Sequence, residues 1–118
     1  MIKLKSTARR LILATGLMMS LTVSVEASAS SAELGLVSGI YGINNGVIMF
    51  MFDGARSATP ACHTQGTRWA INAATPAGQA QLSLLLSAWA QRKRIYIRGT
   101  GNCSVWGDTE TVDWFQVE

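Results

Sequence analysis

The sequence predicts a mainly β domain with one helix: a small five-stranded Greek-key barrel of the OB type, the helix lying between the third and fourth strands. Three observations lead there. Short apolar runs bounded by Gly, Asn and Asp recur along residues 34–117. One amphipathic segment, announced by Thr75-Pro76, interrupts them once, giving the order strand, strand, strand, helix, strand, strand. Gly35, Gly39 and Gly42 supply the first strand with the curvature that closure of a barrel needs. An open α+β sheet covered by one helix is the alternative architecture.

Ahead of the domain stands a predicted signal peptide, residues 1–29. Lys3, Lys5, Arg9 and Arg10 form its basic start, residues 11–25 its apolar stretch, and Ala27-Ser28-Ala29 its small-x-small cleavage pattern. The apolar stretch is short for a membrane span, and no charge cluster follows it as a stop-transfer signal. Cleavage after Ala29, or alternatively after Ala27, leaves one domain, residues 30–118, secreted or periplasmic in a bacterium and without stable membrane insertion.

Residues 30–33 read as a polar lead-in and 34–43 as the first strand, with a bulge or sharp bend at its glycines. Asn45-Gly46 predicts a tight type I′ hairpin. Val47-Ile48-Met49-Phe50-Met51-Phe52 is apolar on both faces, so one face meets the core and the other needs a cover, for which a neighbouring subunit is the expectation. Residues 55–66 form a loop and 67–71 a third strand. Thr75 is placed as N-cap with Pro76 at the first helical position; Leu82, Leu85, Leu86 and Trp89 make an apolar stripe. Residues 95–98 alternate as a half-buried strand, 99–102 turn, and 103–106 and 111–117 are further β segments.

The charge balance excludes two classes of partner. Of ten basic and seven acidic residues, the leader carries four and one, leaving six of each in the mature chain. A near-neutral domain lacks the cationic excess that nucleic acids and anionic membranes require. Arg92-Lys93-Arg94, the one basic cluster, suits the C-terminal end of the helix. Cys62 and Cys103 are the only cysteines, and an oxidising compartment makes a Cys62–Cys103 disulfide the expectation.

Chemistry-bearing motifs are sparse. His63 stands alone beside Cys62, so neither an acid–base pair nor a zinc site assembles from sequence; no serine sits in a nucleophile-elbow motif, and no catalytic residue, metal or cofactor is expected. Gly99-Thr100-Gly101-Asn102 lacks the Lys and following helix of a phosphate loop. Asn102-Cys103-Ser104 matches a glycosylation sequon in form only, and Asp108, Glu110 and Asp113 are too scattered to specify calcium. The segment holding Trp106, Asp108, Thr109 and Glu110 is the candidate ligand-binding site, since a sugar ring stacks on an aromatic face while its hydroxyls bond carboxylates and amides. Trp106 in the core, with turn bonds from Asp108 and Thr109, is the competing reading. Trp69, Trp89 and Trp114 are expected in the core or at subunit contacts.

A helix over residues 76–91, a strand over 94–98, then Cys103-Ser104-Val105-Trp106 and a final strand resemble the pentameric B subunits of bacterial AB-type toxins, the cholera and subtilase groups. The ending Gly99 to Asp113 is also similar to small secreted bacterial proteins carrying Gly-Thr-Gly-x-Cys and Trp-Gly-Asp-Thr-Glu-Thr-Val-Asp. The resemblance implies an OB fold, an intrachain disulfide, a homo-oligomeric ring of five subunits and recognition of a cell-surface glycan. The expected function is therefore a secreted, non-enzymatic binding subunit whose ligand is a glycan or a partner protein. The alternative is a structural or inhibitor-like domain that binds protein and no sugar.

Overall fold

A computed structural model describes residues 29–118; residues 1–28, and with them almost all of the predicted signal peptide, lie outside the described residues. Leu36 divides the first predicted strand into β1 (Ser31–Gly35) and β2 (Val37–Gly42). At the break Asp53 clamps the chain: its Oδ1 accepts from the Leu36 N–H at 2.6 Å, and its own N–H donates to the Leu36 carbonyl at 3.2 Å. Gly35 and Gly54 let two backbones touch there. A Cβ on Gly35 would stand 2.4 Å from the Gly54 nitrogen, and one on Gly54 2.0 Å from the Glu33 carbonyl oxygen.

The remaining elements are β3 (Val47–Phe52), β4 (Arg68–Asn72), α1 (Pro76–Ala90), β5 (Ile95–Gly99) and β6 (Val112–Val117). They form two three-stranded antiparallel sheets, β1-β5-β6 and β2-β3-β4. The predicted five-stranded OB-type barrel is therefore wrong on two counts: the described residues form six strands, and the sheets do not close. The first strand splits at Leu36 and gives one half to each sheet. On the opposite side β4 meets the chain before β6 through one isolated parallel bridge, Ala70 to Thr111, which is too little to close a barrel.

Residues 103–106 also depart from prediction, since only an isolated bridge from Trp106 to Thr109 forms there. The cause is competition for backbone donors. Asn102 Oδ1 accepts from the Ser104 N–H at 3.2 Å, and Thr111 Oγ1 from the Val105 N–H at 3.3 Å, so neither amide is left for a ladder. The hairpin differs too. Only Gly46, at φ 83°, takes positive φ in that turn, and the Ile43 N–H reaches the Val47 carbonyl at 2.9 Å across three residues, so the turn is wider than a two-residue type I′. The bulge expected among the first strand's glycines lies between Ser38 and Tyr41, with Gly39 at φ 55°.

The helix forms as its caps predict. Thr75 Oγ1 accepts from the Gly78 N–H at 3.0 Å, and Pro76 needs no partner at the first turn. Gly78 sits against the end of β4, where any Cβ would strike the Asn72 carbonyl. The core lies between the sheets and under the helix: Phe50, Phe52, Trp69, Ile71, Leu85, Ile95, Ile97 and Phe115 dominate it. Leu85 and Ala88 make the helix's buried stripe, while Leu86 and Trp89 of the predicted stripe are 42% and 47% exposed. Both faces of β3 are buried within the chain. Phe50 and Phe52 enter the main core, and Val47 and Met49 pack with Ala70 beneath Ile43, Val105 and Trp106. The cover assigned to a neighbouring subunit is thus supplied by the loop after β5. No helix among the described residues is long and apolar enough to cross a membrane.

Candidate functional site

Two loops converge on the ends of β4 and β6, and the Cys62–Cys103 disulfide joins them with Cα atoms 6.1 Å apart. This brings the predicted segment 106–110 against β4 and splits it by depth. Trp106 and Asp108 stay partly exposed, whereas Thr109 and Glu110 have no exposure at all. Arg68 organises the outer half. Its guanidinium bonds Asp108 through Nη2, Thr109 Oγ1 through Nε at 2.8 Å and the Tyr41 hydroxyl through Nη1 at 3.2 Å. Thr109 in turn donates to Asp108 Oδ1 at 3.0 Å, and its N–H closes a turn onto the Trp106 carbonyl. Trp106 rests its ring on the Val47, Met49 and Ala70 cluster. The polar groups of Thr109 are spent on the fold, leaving Asp108 and Trp106 as the candidate side chains that partly reach water.

Glu110 anchors the inner half. Its carboxylate accepts from the Gly101 N–H at 3.0 Å, from the Ser30 N–H at 3.4 Å and from the Ser30 hydroxyl, and Arg56 Nη1 approaches at 3.5 Å. Gly99 is required beside it, because a Cβ there would stand 2.2 Å from Glu110 Oε2. Arg56 stacks its guanidinium 3.8 Å from the Trp69 ring centroid, with its Nε and Nη1 buried and without a hydrogen-bond partner among the described residues. Burial pulls the Arg56 pKa down from its ordinary value, and the Glu110 charge opposes that shift.

His63 is held by two backbone bonds. Its Nδ1 accepts from the Glu110 N–H at 2.9 Å and its Nε2–H donates to the Gly66 carbonyl at 2.8 Å, which fixes the neutral Nε2–H tautomer. Burial lowers its pKa first of all; the Gly66 bond and Glu110 push the other way, and Arg56 and Arg68 add to the lowering. Among the described residues no group of three or more His, Cys, Asp or Glu side chains converges as a metal site would require; Asp113 lies exposed on β6, apart from Asp108 and Glu110.

A second surface went unassigned in the sequence. On the outer face of β1-β5-β6, Tyr96 and Trp114 stand with ring centroids 5.6 Å apart and planes tilted by 37°. Arg98 faces Trp114 across the ladder and Gln116 faces Tyr96. Trp114 is 46% exposed, and Arg98 and Gln116 are exposed beside it. The alternation of Ile95-Tyr96-Ile97-Arg98 puts Tyr96 and Arg98 on one face of the strand. Pairing them with Trp114 and Gln116 needs the strand register, which the sequence does not carry. Of the remaining tryptophans expected in the core or at contacts, Trp69 is core, with no exposure, and Trp89 stands on the helix surface.

Comparison with known proteins finds no match to a family model, a curated protein or a solved structure.

Proposed function

We propose that this chain is an extracytoplasmic, non-enzymatic binding subunit that holds a glycan on the outer face of β1-β5-β6. The observation that carries the reading is the open Tyr96–Trp114 pair with Arg98 and Gln116 placed across the strands from it. A pyranose presents weakly polar C–H groups on one face and hydroxyls around its rim. An aromatic pair supplies the stacking surface, the guanidinium supplies donors and the amide supplies both donor and acceptor. The platform is built on paired strands, so little ordering cost is expected on binding. Both nitrogens of His63 are engaged by backbone, which supports a role in holding loops over one in proton transfer.

A glycan array probed with the exported, processed protein tests the reading, followed by calorimetry on any hit. Trp114→Ala should abolish binding and leave the protein folded, since the ring is half exposed. Binding that survives Trp114→Ala, or an array without a hit, overturns the proposal.

A second reading rests on α1. Leu82, Leu86 and Trp89 line one side of the helix, and Trp89 borders a cleft of about 270 Å³ shared with Leu36, Val37, Ala88, Arg92 and Lys93. Leu86 and Trp89 are exposed and Leu82 half-buried beside them, and such an apolar row suits a protein contact, either a partner or other copies of the chain in the ring that the toxin B-subunit resemblance implies. Its test is the native mass of the processed protein.

A further inference from the structure

We propose that the buried Glu110 carboxylate is the docking site for the α-ammonium of Ser30, created when the leader is cleaved after Ala29. The inference rests on cleavage at that bond and is independent of glycan binding. The leader peptidase adds water across the Ala29–Ser30 amide. Ala29 leaves as the carboxylate with the water oxygen, and both water protons end on the Ser30 nitrogen, which becomes the ammonium.

Ser30 is seated from three directions before any new charge is considered. Its N–H points at Glu110 Oε2 across 3.4 Å, its hydroxyl bonds the other oxygen of the same carboxylate, and its carbonyl accepts from the Gly99 N–H at 2.7 Å. The residue has no exposed surface, and neither has Glu110. A buried carboxylate is costly unless it is paired and hydrogen-bonded. Arg56 meets this one only at 3.5 Å, through a nitrogen with no hydrogen bond, while its guanidinium rests on Trp69. Among the described residues, Glu110 Oε2, flanked by the Gly101 N–H at 3.0 Å and the Ser30 nitrogen, has no side-chain cation of its own. Replacing the Ser30 amide by an ammonium converts a long neutral contact into a charge-assisted bond on that oxygen. Burial of Ser30 also sets the order of events. The peptidase must act while the domain is unfolded, and folding then seats the released terminus.

Mass spectrometry of the exported protein comes first, with a chain beginning at Ser30 expected; a start at Ser28 overturns the proposal. Thermal midpoints are then compared between this chain and one released a residue earlier, with Ala29 at its N-terminus, each with Glu110 and with Glu110→Gln. The Ser30 chain should melt about 5 °C higher with Glu110, and the gap should close with Glu110→Gln. Equal midpoints with Glu110, or a gap that persists with Gln, contradict the pairing. Acylation of the Ser30 amine in the unmutated protein needs no variant to fold. The native chain should react at least about tenfold more slowly than the denatured one, and equal rates would remove the docked ammonium.

Discussion

Single residues decide how the two loops sit, and His63 shows it most directly. Burial holds its imidazole below the ordinary histidine value, and both nitrogens serve backbone groups. Because the folded pKa is the lower one, the unfolded chain takes up a proton first as the pH falls. His63 therefore contributes stability that is complete above about pH 6.5 and is lost as the pH drops below it. The thermal midpoint of the unmutated protein should fall more steeply between about pH 7.5 and pH 5 than that of His63→Asn; identical slopes would mean that the imidazole does not titrate differently on folding. None of this was visible in a lone histidine next to a cysteine. Partners 47 residues away in the chain, such as the Glu110 amide, are set by topology. Likewise Thr109 and Glu110 carried the chemistry expected of a ligand site, but burial turned it inward.

At the scale of elements, local signals suffice where the chain satisfies its own backbone. The Thr75-Pro76 start, the helix Pro76–Ala90 and the strand Val47–Phe52 needed only capping geometry and apolar pattern. The split at Leu36 and the irregular loop after β5 depend on Asp53 and Thr111 reaching across from elsewhere, which no local pattern records. That loop should behave as part of the core. Trp106→Ala uncovers Val47 and Met49 and is expected to cost about 2 kcal/mol in denaturant unfolding, whereas an unchanged midpoint would make Trp106 a free surface residue. Cys62 and Cys103 tie this loop to the one before β4 across 41 positions. Replacing both by Ala should lower stability by about 4 kcal/mol in the chain-entropy model, measured by urea unfolding of the exported protein; a loss below about 1 kcal/mol would contradict it.

For the whole molecule, the class (mainly β with one helix) and the disulfide follow from sequence, while closure into a barrel does not. Closure depends on ladder pairing between β4 and β6, and one bridge stands in its place. The surface then divides its roles: an aromatic and polar sheet face on β1-β5-β6, and an apolar helix face around Trp89. If α1 joins subunits, light scattering after size exclusion should give a ring mass that Trp89→Glu reduces to a monomer; a monomer before mutation removes the self-association reading. The sheet face carries the central claim. Calorimetric titration of the best glycan from an array, run side by side on the unmutated protein, Trp114→Ala and Trp106→Ala, is its most direct test. Binding lost with Trp114→Ala and kept by folded Trp106→Ala is the predicted result. Binding kept by Trp114→Ala and lost with folded Trp106→Ala would move the site to the loop after β5 and contradict the account.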